Sequence, residues 1–376
     1  MRDFALEVFF SDWEFKARHH MTASDIESLS LGELLALGPS GAEESFLATR
    51  LSYTETWGAP SLRRAIAATY DRQEDQNILC LAGAGEGLYT VARVLLERDD
   101  HVVVTTPNYQ SAETVPLAQC AVTGVVQRPD NTVRGGWRLD VDDIKAALQP
   151  NTRLISLNLP NNPTGMLLPH DDWYALIDIA RERGIYILCD EVYRGVELDL
   201  EDQLPQVADL YERGISLNVL SKAYGLPGLR VGWLACQDQA LLRRIERYKH
   251  YLSICNAAPA EFLAEIALGA REHIFARNRA LLQRNEAALS ALFSAHADLI
   301  EWQAPLGGCV GFPRYLGDDG VEQFCQRALT DSGILLLPAS IYESELTSVP
   351  TDRFRIGFGR DAVFQMGLDA LRQHLA

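Results

Sequence analysis

The chemistry of this chain concentrates around one lysine. Lys222 follows Ser221 at the end of the apolar run Leu217–Leu220. Gly225-Leu226-Pro227-Gly228 then separates it from Arg230, which opens a second apolar run, Val231–Cys236. A primary amine at a strand end, beside glycines that let a ligand come close, suits a covalent nucleophile for a carbonyl group. A carbonyl cofactor such as pyridoxal phosphate is captured by a lysine in this way.

Other segments supply the groups such a cofactor needs. Gly83-Ala84-Gly85-Glu86-Gly87 lies between a strand-like and a helix-like stretch, where backbone N–H groups and a helix N-terminus receive a phosphate. A dinucleotide loop requires Gly-x-Gly-x-x-Gly and an acidic residue near the end of the next strand. Here the spacing is Gly-x-Gly-x-Gly and that strand ends Thr105-Thr106-Pro107. The phosphate reading survives and the nicotinamide reading weakens.

Asn158-Leu159-Pro160-Asn161-Asn162-Pro163-Thr164-Gly165 closes a strand with a rigid turn. It offers the Asn162 amide to a ligand above the carboxyl edge of the sheet. Asp190 ends the apolar run Ile185–Cys189; a carboxylate there needs a cation, and a protonated pyridine nitrogen is one. Tyr193, three residues on, is spaced to hydrogen-bond the ring oxygen. Arg355 lies in the apolar strand Phe354–Gly359, where a guanidinium wants a planar anion, and a substrate carboxylate fits it bidentately.

The elements that must position these residues alternate. Ser61–Arg72 reads as a helix, Asn77–Ala82 as a strand and Gly87–Glu97 as a helix. Strands follow at His101–Thr106, Leu154–Leu159 and Ile185–Cys189, with a helix within Asp171–Gly184. This pattern predicts an α/β fold with a mainly parallel sheet flanked by helices. A nearly unbroken helical pattern from Pro259 to His296 leads into a smaller α+β domain. That domain carries a Gly-rich strand (Gly307–Tyr315), a helix (Val321–Ser332), the strand with Arg355 and a final helix.

At 376 residues the chain accommodates one large and one smaller domain. A net charge of −17 argues against a nucleic-acid or anionic-membrane partner. The seven cysteines are scattered without a CxxC pair or Cys/His cluster, which favours reduced thiols, a cytoplasmic location and no metal site. No apolar run reaches the length of a membrane span, and the charged N-terminus has no signal core.

Taken in order over roughly residues 50–376, these motifs resemble the class I/II aminotransferases, the fold type I pyridoxal-phosphate enzymes, whose large domain carries a seven-stranded-type sheet. The resemblance implies Lys222 as the Schiff-base lysine, holding the cofactor as an internal aldimine, and Asp190 as the pyridinium partner. It implies Tyr193 and Asn162 as donors to the phenolic oxygen, and Tyr109 as the aromatic stacked on the ring. Ser221, Arg230 and the backbone around Ala84 and Gly85 would take the phosphate. Tyr53 would reach a phosphate in a neighbouring subunit, making a homodimer with shared active sites. Arg355 would bind the substrate carboxylate, with Asn162 beside it. The implied division is 1–48 as an N-terminal segment packed on the small domain, 49–275 as the cofactor domain and 276–376 as the small domain.

The expected reaction is transfer of an amino group from an L-amino acid to a 2-oxo acid. Three departures from the family pattern stand out. Val219 replaces a frequent Ser or Thr three before the lysine, Pro338-Ala339-Ser340 replaces Pro-Gly-Ser, and Trp13–Ser30 replaces a short glycine-containing loop. This last stretch is similar to a branch acting on guanidino amino acids, so a lyase, cyclase or oxidase of an arginine-like substrate is the alternative. Asp25 and Glu27 are its candidates for holding a cationic side chain.

Overall fold

The apolar runs form one seven-stranded sheet in a computed structural model that describes residues 1–376. In chain order its strands are β1 Ile78–Leu81, β2 His101–Thr106, β3 Ala121–Val126, β4 Thr152–Asn158, β5 Tyr186–Asp190, β6 Gly214–Val219 and β7 Gly232–Cys236. They lie in the order β1-β7-β6-β5-β4-β2-β3. Only β7 runs antiparallel to its neighbours.

The central strands are apolar throughout because both faces are covered. Val103, Ile155 and Ile187 point to one face, where they pack with Trp173 and Leu176. Val102, Leu154 and Leu188 point to the other, against Leu88 and Val91. Three helices matter for the site: α1 Ala5–Trp13, α2 Ala84–Leu95, which covers the second face, and α3 Arg271–Ser294.

Differences from the sequence reading have local causes. The first expected helix is Pro60–Ala67, not Ser61–Arg72; the amides of Asp71 and Arg72 bond instead to the Asp209 carboxylate. The long helical run is two helices, Ala258–Gly269 and α3, parted at Ala270. Gly307–Tyr315 holds two short strands, Val310–Gly311 and Arg314–Tyr315, because Pro313 between them has no N–H for a ladder. Edge strand β3 escaped notice since it is largely half-exposed and contains Gly124.

In the C-terminal region, Phe354–Gly357 pairs antiparallel with Val310–Gly311 and with Leu337–Pro338. The N-terminal segment is stitched to it. His19–His20 pairs with Ile334–Leu335, and the amides of Gly357 and Glu27 bond to Met21 and Gly359 carbonyls. α1 instead reaches the large sheet: Arg2 pairs with the buried Glu113 at 3.0 Å, and Gln110 bonds both Ala5 N–H and Asp3 C=O.

Candidate active site

Strand register brings the chemistry to one edge. Asn158 sits opposite Asp190 at the ends of β4 and β5, and Val219, near the end of β6, sits opposite Gly232. Because β7 runs backwards, Arg230, two residues ahead of it, also lies at this carboxyl edge. The edge opens into a cavity of about 400 Å³ whose walls include Gly85, Tyr109, Asn162, Asp190, Lys222 and Arg230. α1 and the residue that caps its C-terminus roof it with Leu6, Glu7, Phe10 and Glu14.

Lys222 Nζ donates to Ser24 Oγ at 2.9 Å. Burial holds its pKa below the ordinary lysine value; Cys309, Asp25 and Asp190 pull back, and Arg355 adds to the lowering. Asp190 is buried and its carboxylate accepts one bond, from Val192 N–H at 3.2 Å. Burial pushes its carboxyl up to about 7, against the lowering effects of that bond and of Lys222. A cation placed beside such a carboxyl favours its ionised form.

Tyr193 is 1% exposed, and its hydroxyl donates to Ser24 C=O at 2.9 Å. Tyr109 lines the cavity, its ring 4.8 Å from Phe4 and its hydroxyl bonded to Glu7 Oε1 at 2.9 Å. Burial and then the Glu7 charge raise its pKa well above the ordinary phenol.

The anion cup forms at the start of α2. Gly83 has φ +112°, and a Cβ there would lie 2.6 Å from Arg230 Nη2, so only glycine admits the guanidinium so near the turn. Gly83 offers no side-chain cap, so the first amides of α2, at Ala84 and Gly85, remain open to a ligand. Arg230 makes only weak links, to Ser221 Oγ (3.4 Å), Ala82 C=O (3.4 Å) and Pro227 C=O (3.1 Å). Val219 lines the same wall and contributes no hydroxyl.

Arg355 is fully buried behind the wall rather than on it, with the Phe10 ring 5.5 Å from its guanidinium carbon. It has no carboxylate partner. Its Nε and Nη2 bond Thr22 Oγ1 and C=O, and Nη1 bonds Asn162 Oδ1 and Tyr342 Oη. One N–H, on Nη2, is left over for a ligand.

Two expectations need correction. Asp25 does not await a ligand: its carboxylate is paired with Arg360 at 3.0–3.1 Å. Glu27 lies off the cavity and accepts the Asp361 N–H at 2.9 Å. Apart from Asp190, three carboxylates line the cavity, Asp25, Glu7 and Glu14, and of these only Asp25 is paired with an arginine. Beside them His20 is buried, and burial, then Arg360 and Arg355, bring its pKa down to about 4. It is neutral 3.8 Å from Glu14.

Tyr53 also lies outside the cavity, and unlike Arg355 it is on the surface, 85% exposed. Sequence reasoning missed Ser24, Thr22, Glu14 and Tyr342. Glu14 and Ser24 lay within the unusual Trp13–Ser30 stretch, and Tyr342 lay just beyond the unusual Pro338-Ala339-Ser340.

The residues fit a pyridoxal phosphate. A buried carboxyl without a cation, a buried guanidinium without an anion, an uncapped helix start beside an arginine, and a lysine of lowered pKa converge on one cavity. This fold and site define a fold type I pyridoxal-phosphate enzyme.

The chain belongs to the aminotransferase class I and II family, whose model matches residues 42–371. It is 29% identical to capreomycidine synthase of Streptomyces vinaceus over 98% of this chain and 93% of that one. It is 32% identical to the arginine–pyruvate transaminase AruH of Pseudomonas aeruginosa over 61% and 58%. Among solved structures, a PLP-dependent aminotransferase from Streptococcus suis superposes with TM-score 0.91 at 30% identity, covering 100% and 97% of the two chains. The PLP-dependent cyclase OrfR does so with TM-score 0.89 at 26%, with the same coverage.

Proposed function

We propose that this pyridoxal-phosphate-dependent aminotransferase takes the amino group of an L-amino acid with a cationic side chain and passes it to a 2-oxo acid, using Lys222 as its central residue. The observation that carries the substrate side is the carboxylate pair of α1. Glu7 and Glu14 lie seven residues apart, two helical turns, and so face the cavity together. Neither pairs with a lysine or arginine of the chain, whereas Asp25 does. Burial, the largest influence on Glu14, raises its pKa, so a guanidinium or ammonium that neutralises it is favoured.

Bound pyridoxal phosphate supplies the electron-withdrawing ring that makes the substrate α-proton acidic. Lys222, its pKa lowered by burial, would serve as the base that takes that proton and the acid that gives it back. Asp190, at the end of β5, would take the charge of the pyridine nitrogen, Asn162 and Tyr193 would hydrogen-bond the ring oxygen, and Tyr109 would pack on the ring. Arg230, Ser221 and the amides at Ala84 and Gly85 hold the phosphate. Arg355 holds the substrate carboxylate after Phe10 yields.

The active form in this reading is a cytoplasmic homodimer. An exposed apolar surface including Leu51, Tyr53 and Tyr251 supports the dimer. The Tyr53 loop is tied to the turn carrying Tyr251 by bonds from Thr54 Oγ1 to Asn256 C=O and from Lys249 Nζ to Thr56 C=O. Seven free cysteines agree with a reducing compartment, and no helix is long and apolar enough to cross a membrane. The division into 1–48, 49–275 and 276–376 belongs to the same reading, with α3 as the connector.

A second reading, a lyase, cyclase or oxidase acting on a guanidino amino acid, is supported by the likeness to capreomycidine synthase and OrfR. The same residues serve it. Spectral titration of the cofactor-loaded protein with L-arginine, L-lysine, L-leucine and L-glutamate, in air and anaerobically, separates the two. A pyridoxamine spectrum reversed by a 2-oxo acid and strongest with the basic amino acids supports the first reading. Ammonia release or oxygen uptake with arginine alone supports the second. No preference for cations removes the Glu7/Glu14 assignment.

A further inference from the structure

Tyr342 belongs to no motif, lies in the short turn after Leu337–Pro338 and is 6% exposed. Its hydroxyl touches two residues of the site: it lies 2.7 Å from Arg355 Nη1 and 2.8 Å from Asn162 Oδ1. Donor and acceptor roles in this triangle are fixed by chemistry. A guanidinium only donates, so Tyr342 Oη accepts from Arg355. The phenol is also neutral, since burial pushes its pKa up to about 12 against the influence of Arg355. Its own proton therefore goes to Asn162.

The amide atom facing these two donors must be the oxygen. Asn162 Oδ1 thus receives Arg355 at 3.1 Å and Tyr342 at 2.8 Å. This fixes the flip of the amide and leaves Nδ2 free of any protein acceptor. Asn162 lines the cavity, so its free N–H groups are the ones offered to a ligand.

We infer that Tyr342 is a positioning residue for the reaction: its hydroxyl sets the aim of Arg355 and the orientation of the Asn162 amide together. The turn replacing Pro-Gly-Ser with Pro338-Ala339-Ser340 thereby acquires a function, since it delivers Tyr342 to the pair. The phenol is held from the other side by Phe312, edge-to-face at 5.6 Å, so it does not swing freely. Without the hydroxyl, one Nη1 proton has no acceptor and the amide oxygen loses one of the two donors that hold it. The inference rests on Arg355 being the carboxylate site.

The test compares wild type, Tyr342→Phe and Tyr342→His, all loaded with cofactor. It measures the binding of an unreactive 2-methyl amino acid, of the corresponding amine lacking the carboxylate, and the pH midpoint of the cofactor absorbance. The phenylalanine variant is expected to bind the amino acid about tenfold more weakly, as loss of one hydrogen bond to a charged group implies. The amine should bind as to wild type, and the pH midpoint should move because Asn162 is no longer held. Turnover at saturation stays within about threefold, so the loss appears in KM.

Tyr342→His, which restores a polar partner, recovers part of the affinity. It also serves as the readout should the phenylalanine variant not fold. Unchanged amino-acid binding, or equal weakening of amino acid and amine, overturns the inference. A wild-type protein that binds neither compound and shows no cofactor band overturns the functional reading instead.

Discussion

Lys222 and Ser24, 198 residues apart, are joined by a 2.9 Å hydrogen bond from Nζ to Oγ. The same serine accepts the Tyr193 hydroxyl at its carbonyl. The N-terminal strap is therefore part of the site floor, tied to the lysine, to Tyr193 and, through Thr22, to Arg355. Ser24→Ala removes only the Oγ acceptor. It is expected to lower kcat about three- to tenfold with little change in KM, as loss of about 1 kcal/mol of orientation would. Steady-state kinetics check this, with Lys222→Ala as the reference. That variant should lose the protein-bound cofactor band and drop in turnover by about 100-fold or more.

Asp190 links cofactor binding to pH. Its pKa is 3.8 in an ordinary setting and about 7 in the folded, ligand-free chain. Between these values the folded state holds a proton that the unfolded state has released. This contribution to stability is present in full below about pH 4 and is lost as pH rises to 7. Asp190→Asn has no such dependence. The cofactor-free variant should be as stable as wild type at pH 4, and more stable above pH 7 by up to about 4 kcal/mol. Urea melts at several pH values decide the point; a gap independent of pH would count against it.

Gly83→Ala places a methyl group against Arg230 and forces a side chain onto φ +112°. The guanidinium can swing away, but then it leaves the anion cup. The expected result is about 1–3 kcal/mol of backbone strain and a fall of about tenfold or more in affinity for pyridoxal phosphate. Pyridoxal without the phosphate should bind with much less change. Fluorescence titration with both compounds measures the contrast.

Glu14→Gln and Asp25→Asn test which carboxylate meets the substrate. The first should weaken arginine relative to leucine about tenfold, or about 1.4 kcal/mol, and leave the melting temperature nearly unchanged. The second breaks the bidentate pair with Arg360 and should lower stability while leaving the arginine-to-leucine ratio alone. The opposite pattern would return the cation site to Asp25.

Much of the site was legible because its residues sit where sequence patterns end. Asn158, Asp190 and Lys222 each terminate or closely follow an apolar strand, and a polar group at such a point is conspicuous against its surroundings. Gly83 and Arg230 were readable through their spacing from those strands. The strand of Arg355 was readable, but its setting was not: nothing in Phe354–Gly359 announces that the guanidinium lies behind Phe10.

The sequence by itself determined the central strands of the sheet, their carboxyl edge and the candidate lysine, because strand periodicity and motif spacing are local properties of the chain. Only the tertiary structure decided which carboxylates stay unpaired in the cavity, that Ser24 meets Lys222, and that Tyr342 touches both Arg355 and Asn162. Those contacts join segments far apart in the chain. Asp25 and Glu14 are both acidic residues in one unusual stretch, and nothing local tells them apart. What separates them is Arg360, which forms a direct ion pair with Asp25 and acts on Glu14 only from a distance.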